Sequence, residues 1–219
     1  MNFKSIKDKI LRITKQSLRW LIAIIMLVIC FSIVEELFEN DIYKFDNFIY
    51  NYVSIIISPK VTTFFKLITE IGSAVAVIGI CIVFFVFVKN KIYAKLMTLN
   101  LVIITLLNQI IKNVVNRPRP TGFRLIDETG YSFPSGHSMV SMAFYGFLIY
   151  LVNRYIKNLY IKITLTSILS MLIFLIGISR IYLGVHYASD VVAGFCISIP
   201  YLIMFTYILS RNKILDKEK

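Results

Sequence analysis

Six apolar stretches dominate the pattern of hydrophobic and polar positions along the chain. A helix that crosses a bilayer needs about 20 largely apolar residues, because each adds about 1.5 Å toward a hydrocarbon thickness of about 30 Å. Stretches of about this length alternate here with shorter polar segments. The pattern predicts an all-α integral membrane protein with six transmembrane helices, at residues 18–37, 71–88, 92–111, 137–152, 161–179 and 190–209.

The segment at residues 39–70, between the first two predicted spans, is too polar to cross a membrane. Aromatic side chains alternate there with Asp and Lys residues, which is typical of chain that lies at a membrane surface. We therefore predict an interfacial segment whose anchors are Phe45, Phe48, Tyr50, Tyr52, Phe64 and Phe65.

Composition narrows the class of protein further. Of the 219 residues, 58% are hydrophobic and 16% are charged, against roughly 45–50% and roughly 25% in soluble domains. This argues against a soluble, disordered or disulfide-rich secreted chain. The odd number of cysteines, each inside an apolar run, predicts neither a disulfide nor a metal site.

The net charge of +12 is better explained by a phospholipid bilayer than by nucleic acid, because positive charge accumulates on the cytoplasmic side of membrane proteins. With both termini in the cytoplasm, the inner segments 1–19, 89–95, 153–162 and 210–219 hold 16 of the 24 Lys and Arg residues but only three acidic residues. We predict a single domain over residues 1–219 in the cell membrane. It has a basic cytoplasmic N-terminus at 1–17 and a core at 92–209.

Several cations contradict this charge asymmetry, because they fall on the predicted outer side. Lys112, Arg117, Arg119 and Arg124 lie within one outer stretch, and Arg180 lies at the outer end of the fifth span. Lys and Arg residues are normally less frequent on the outer side of a membrane protein, so their presence there suggests an anionic partner. Snorkelling to lipid phosphates is the alternative, and it suits Arg124 and also Arg117. Arg119 lies between two prolines, which end the third span and hold the chain extended.

Lys112 continues a polar stripe with Thr105 and Asn108 at helical spacing. Polar groups at such depth usually face a bundle interior or a cavity. The stripe therefore favours a polar site, although hydrogen bonding between helices would produce the same pattern.

Two further elements contain the only histidines in the chain. Ser135, Gly136 and His137 precede an apolar run, where free N–H groups at a helix start can bind an anion. His186 and Asp190 are four residues apart, so in a first helical turn a carboxylate would orient the imidazole. Each element alone is also compatible with an ordinary helix cap. Both nevertheless fall at the outer membrane edge, near the cations on that side.

Taken together, these motifs resemble the three signatures of the type-2 phosphatidic acid phosphatase superfamily, which includes membrane lipid phosphate phosphatases and is related to vanadium haloperoxidases. They occur in the expected order. They are Lys112-x6-Arg119-Pro120, Pro134-Ser135-Gly136-His137 and Ser179-Arg180-x5-His186-x3-Asp190.

The resemblance implies a metal-independent phosphatase without a cofactor, whose active site faces the extracytoplasmic side. His186 would be the nucleophile and form a phosphohistidine, with Asp190 orienting it. His137 would protonate the leaving group. The phosphate would be bound by Lys112, Arg119, Ser135, Gly136 and Arg180.

The same resemblance implies a lipid phosphate or diphosphate as substrate. Undecaprenyl diphosphate, phosphatidylglycerol phosphate and phosphatidic acid are the candidates. Two other functions remain open at this point. The phosphohistidine would serve equally well in a lipid phosphotransferase, and a non-catalytic phospholipid-binding protein would also need a basic site. The sequence leaves the oligomeric state undetermined.

Overall fold

The computed structural model describes residues 3–39 and 41–215, which are helical with irregular connections and contain no strand. The predicted all-α class is confirmed. The side chains of most of the predicted basic N-terminus and the last four residues lie outside the described part. The helices are α1 (Phe3–Glu39), α2 (Ile42–Ser54), α3 (Pro59–Ile71), α4 (Ala74–Phe87), α5 (Ile92–Val115), α6 (Gly136–Tyr155), α7 (Leu159–Tyr182) and α8 (Ala188–Arg211).

Among the described helices, four are long and apolar enough to span a membrane: α1, α5, α7 and α8. Helices α3 and α4 meet at a 48° bend and would form a fifth span if taken together. The predicted second span at 71–88 corresponds to α4 alone, with only 14 residues. Length and composition therefore support four or five spans, against the six predicted.

Helix α6, the predicted fourth span, lies at the centre of the bundle and packs against α5, α7 and α8. Its side chains Phe144 and Phe147 are fully buried, together with Ile176 of α7 and Met97 of α5. A helix enclosed by its neighbours has little contact with lipid. Its Ser, Gly and Tyr residues are therefore tolerated, and they lower its hydropathy.

The segment predicted as interfacial forms helices α2 and α3. Phe48, Tyr52 and Phe64 are largely exposed, but Phe65 is 5% exposed and packs on Tyr182 of α7, with 4.5 Å between the ring centroids. Phe65 is thus a core residue and not a surface anchor. The cause is the amphipathic register of α3, which turns this side chain toward α7.

The connection from α5 to α6 runs from residue 116 to residue 135 and crosses the end of the bundle where α8 begins. It is held in place by backbone hydrogen bonds from Leu125 to Leu183 and from Ser132 to Arg117. Gly184 adopts φ +71°, and a Cβ there would lie 1.7 Å from the Phe123 carbonyl oxygen. Only glycine permits this close approach, which brings the connection against the chain that carries His186.

Candidate active site

His186 and Asp190 lie side by side where α8 begins. His186 precedes the helix, Tyr187 is the N-cap, and the Asp190 carboxylate accepts the Tyr187 N–H in a capping box. The distance from His186 Nδ1 to Asp190 Oδ2 is 3.4 Å. His186 and Asp190 are therefore close, as predicted, but they do not share a face of one helical turn, because His186 lies before the helix. The pair meets because the capping box folds Asp190 back over the helix start.

Asp190 is completely buried but well supplied with donors. Its Oδ2 accepts from the Tyr187 N–H at 2.9 Å and from the Ser132 hydroxyl, and its Oδ1 accepts from Arg117 Nη1 at 2.7 Å. A buried carboxylate with several donors and a cation is stabilised in its ionised form. The geometry thus provides a fixed negative charge beside His186.

On its other side, His186 Nε2 lies 3.0 Å from Arg119 Nη1. A guanidinium only donates, so the contact requires an acceptor lone pair on Nε2. The proton is therefore assigned to Nδ1, which faces Asp190. Burial lowers the pKa of His186 to about 4; Asp190 opposes this effect, and the charges of Arg180 and Arg119 add to it. The imidazole is neutral at pH 7, with its free lone pair among cations.

Arg119 is held by backbone carbonyl groups. It donates to the carbonyl oxygens of Thr129, Gly130 and Val185 at 2.8–3.2 Å. The prolines on either side fix the extended backbone from which the side chain projects. This framework aims the guanidinium at Nε2 of His186.

Arg180, in the last turn of α7, is 1% exposed and donates to the Thr69 hydroxyl at 2.8 Å and to the Glu128 carboxylate. The other carboxylate oxygen of Glu128 lies 3.8 Å from Arg119. Burial raises the pKa of Glu128, but the neighbouring Arg180 and Arg119 outweigh it and leave the pKa below its ordinary value. An ionised carboxylate thus bridges the two arginines predicted to bind phosphate, and the sequence analysis missed it.

Lys112 lies at the end of α5 and donates to the Tyr131 carbonyl oxygen at 2.7 Å. Asn108, one turn earlier, is buried and donates to the Pro134 carbonyl oxygen at 3.1 Å. Thr105 is exposed, so the predicted three-residue stripe is wrong at that position. The buried polar face of α5 continues through Asn100, which is eight residues before Asn108.

At the start of α6, Ser135 is the N-cap and its Oγ accepts from the Ser138 N–H and hydroxyl. Both contacts use Ser135 as acceptor, so its own O–H remains available to donate. A Cβ on Gly136 would lie 3.1 Å from Asn108 Oδ1. The imidazole of His137 makes no hydrogen bond within the described part of the chain, and it lies within electrostatic range of Arg180 and His186.

The structure adds Arg117 and Asp46 to the surroundings of the site. For Arg117 the sequence left snorkelling to lipid open as an alternative. The side chain is instead 3% exposed, and its Nη2 lies 2.7 Å from Oδ2 of Asp46, which is 2% exposed. The Arg117 guanidinium also stacks 3.9 Å above the Tyr187 ring. One sequence signal points to Asp46, because it is four residues from Ile42 on the apolar face of α2.

The structure thus brings every predicted site residue to one end of the bundle. Around His186 lie the carboxylate of Asp190, three cations, a second histidine and a helix N-terminus. No group of three or more His, Cys, Asp or Glu residues within residues 3–39 and 41–215 is arranged to hold a metal ion.

Comparison with known proteins agrees with this picture. A family model described as the PAP2 superfamily matches residues 92–214. Phosphatidylglycerophosphatase B of Bacillus subtilis (strain 168) is 38% identical over 95 residues, which cover 43% of this chain and 47% of the relative. Lipid phosphate phosphatase delta of Arabidopsis thaliana is 30% identical over 135 residues, which cover 56% of this chain and 32% of the relative. The chain thus aligns with less than half the length of these curated relatives.

Two solved structures share the fold. The crystal structure of a transmembrane PAP2-type phosphatidylglycerolphosphate phosphatase from Bacillus subtilis superposes with a TM-score of 0.79 at 25% identity, covering 86% of this chain and 96% of that one. The crystal structure of Aquifex aeolicus LpxE superposes with a TM-score of 0.59 at 27% identity, covering 73% of this chain and 93% of that one.

Proposed function

The chain belongs to the PAP2 superfamily, and from this premise we propose that it is a metal-independent membrane lipid phosphatase with a phosphohistidine intermediate. One observation carries the proposal. The neutral His186 directs Nδ1 toward Asp190 and its Nε2 lone pair toward Arg119. Arg180 is nearby, and Lys112 is within electrostatic range of Asp190, Arg119 and Arg180. A nucleophile so placed faces the cations that would hold a phosphoryl group.

In the first step, the Nε2 lone pair of His186 attacks phosphorus, and the bond from phosphorus to the lipid oxygen breaks. In the substrate complex the phosphate anion would favour the protonated form of His137. His137 gives its proton to that oxygen, which releases the lipid alcohol from a monophosphate or the lipid monophosphate from a diphosphate. Asp190 stabilises the positive imidazole ring that forms. The charge on the phosphoryl oxygens is neutralised by Lys112, Arg119 and Arg180, assisted by the Ser135 hydroxyl and the Gly136 N–H.

In the second step, a water molecule attacks phosphorus and the bond between phosphorus and Nε2 breaks. His137, now neutral, takes a proton from this water, and inorganic phosphate leaves. His186 returns to its neutral state. In a phosphotransferase, a lipid hydroxyl would replace the water, which makes this alternative an outcome of the test below.

We propose a lipid phosphate or diphosphate as the substrate, because the site lies at the ends of apolar helices where a headgroup would lie while its chains stay in the bilayer. The name of the relative phosphatidylglycerophosphatase B supports phosphatidylglycerol phosphate as a candidate. We propose it beside undecaprenyl diphosphate, with phosphatidic acid third. The charge asymmetry supports an extracytoplasmic site and cytoplasmic termini. We also propose one domain over residues 1–219.

The test is phosphate release by the purified full-length protein in detergent with excess EDTA. Phosphatidylglycerol phosphate, undecaprenyl diphosphate and phosphatidic acid are compared, with a His186→Asn variant as the blank. We expect EDTA to leave the rate unchanged, because Lys and Arg side chains neutralise the phosphate. Loss of activity in EDTA would contradict the metal-free mechanism. Labelled phosphate in lipid instead of solution would identify a phosphotransferase.

A further inference from the structure

A buried chain of charges extends from the site into helix α2. Arg117 joins two carboxylates: its Nη1 is 2.7 Å from Asp190 Oδ1 and its Nη2 is 2.7 Å from Asp46 Oδ2. Ser189 adds two links, since its N–H donates to Asp46 Oδ1 and its hydroxyl to Asp46 Oδ2, both at 2.8 Å. Helix α2 is thus fastened to the first turn of α8, where Asp190 lies.

We propose that Arg117 and Asp46 form a positioning pair that acts on His186 through Asp190. This inference rests on the proposed function. It means that α2, through Asp46, helps to hold the group that orients the nucleophile. Neither residue touches the reacting atoms; both determine how Asp190 is held.

The two carboxylate oxygens of Asp190 have different hydrogen-bond partners, and this supports the positioning role. Oδ2 accepts from Ser132 and from the Tyr187 N–H and faces His186 at 3.4 Å. Oδ1 accepts from Arg117, so the guanidinium prevents the carboxylate from rotating. A planar guanidinium that is held at both Nη atoms is a more rigid support than one held at a single atom. Asp46 provides the second anchor.

The charges give the pair a second effect on the nucleophile. His186 faces Asp190 of α8, Arg180 of α7 and Arg119 of the connection, and His137 and Glu128 are also within electrostatic range. Arg117 cancels part of the Asp190 charge, and Asp46 cancels part of the Arg117 charge. Losing Arg117 should therefore strengthen proton binding by His186, and losing Asp46 should weaken it. Opposite changes in proton binding by His186 in the two variants would distinguish this mechanism from a simple loss of packing.

The first test compares kcat and KM for Arg117→Gln and Asp46→Asn in the full-length protein. We expect kcat to fall about 10- to 100-fold, as when other partners of an oriented histidine are removed, with KM changed by less than about threefold. Matched controls are Arg124→Gln and Asp41→Asn. Both residues are exposed; Arg124 lies in the same connection as Arg117, and Asp41 is the N-cap of the helix that holds Asp46. These controls should keep the wild-type rate. An effect on KM alone would overturn the proposal.

The second test needs no substrate and therefore stands even if the proposed function fails. Because the chain has only two histidines, protein labelled with ¹⁵N-histidine gives two imidazole spin systems, which a His137→Asn variant assigns. We expect the Nδ1–H tautomer for His186 in the wild type. The His186 titration should move to higher pH in Arg117→Gln and to lower pH in Asp46→Asn.

Identical titrations in the wild type and both variants would overturn the proposal and leave the pair a purely structural role. If either variant fails to fold, Ser189→Ala removes one hydroxyl and leaves both charges in place. It should lower kcat about two- to fivefold at unchanged KM. The loss is smaller than in the charged variants because Ser189→Ala removes the hydrogen bonds from Arg117 and to Asp46 but leaves both ion pairs of Arg117 in place. An unchanged kcat for a folded Ser189→Ala protein would count against the positioning role.

Discussion

Arginines lie at both ends of the helix bundle, but their surroundings differ. At the end that holds the candidate site, Arg117, Arg119 and Arg180 are at most 7% exposed, and each is engaged with oxygen or nitrogen acceptors. At the other end, where α8 finishes, Arg19 and Arg211 are exposed and line an open cavity of about 660 Å³. The same residue type thus serves two purposes.

The difference follows from the free energy of burying charge. An unpaired buried cation is very unfavourable, so each arginine of the site must have partners in fixed positions. An exposed arginine keeps its hydration and needs none. We therefore expect changes at the buried arginines of the site to affect the reaction strongly and changes at the exposed arginines of the far end to affect it little.

The largest effect is expected for His186→Asn, which removes the nucleophile but keeps a side chain able to donate to Asp190. Turnover should fall by at least about 10⁴-fold, as in other enzymes that lose a nucleophile. Phosphate release under substrate saturation measures this, with thermal unfolding to show that the variant is folded. A variant that retained one per cent of the wild-type rate would disprove the assignment.

The next effect concerns the buried arginines themselves. Arg119→Gln and Arg180→Gln should each lower kcat/KM by about 10²- to 10³-fold, the usual loss for a group that stabilises charge in the transition state. Arg124→Gln is the matched control, since Arg124 lies in the same connection but is exposed; it should change kcat/KM by less than about threefold. Equal losses in all three variants would show that burial does not distinguish the functional arginines.

A smaller effect is expected when the pH is lowered. With a pKa of about 4, His186 stays about 90% neutral at pH 5, whereas an ordinary histidine would be only about 3% neutral. The acid limb of kcat/KM should therefore lie near pH 4. The shift also means that stability falls as the pH drops from about 6.5 toward 4, because the unfolded chain binds the proton first. An acid limb near pH 6.5 would contradict the environment described for His186.

The smallest effect is expected at the far end. Arg211→Gln should change kcat by less than about twofold and the free energy of unfolding by no more than about 0.5 kcal/mol, as is usual for exposed positions. Parallel rate and thermal-unfolding measurements on the wild type and Arg180→Gln provide the comparison. A loss in Arg211→Gln that matched the loss in Arg180→Gln would remove the distinction between the two ends.

Much of the site was predictable because its residues lie in short motifs. Arg119 between two prolines, Ser135 to His137 before an apolar run, and His186 four residues before Asp190 are all local patterns. Local patterns fix the backbone geometry of caps and helix ends, and these features place the side chains. Arg117 shows the limit of such reasoning, because its position among outer cations was equally consistent with snorkelling to lipid.

The sequence alone determined the helical membrane class and the family motifs, because hydrophobic periodicity and motif spacing depend on neighbouring residues. Only the tertiary structure determined which charges are buried together. Asp46 and Ser189 are 143 positions apart and meet only when α2 packs on α8. The bridge of Glu128 between two arginines likewise depends on how the long connection folds. Electrostatic partners are selected by distance in space, and no local pattern encodes that distance.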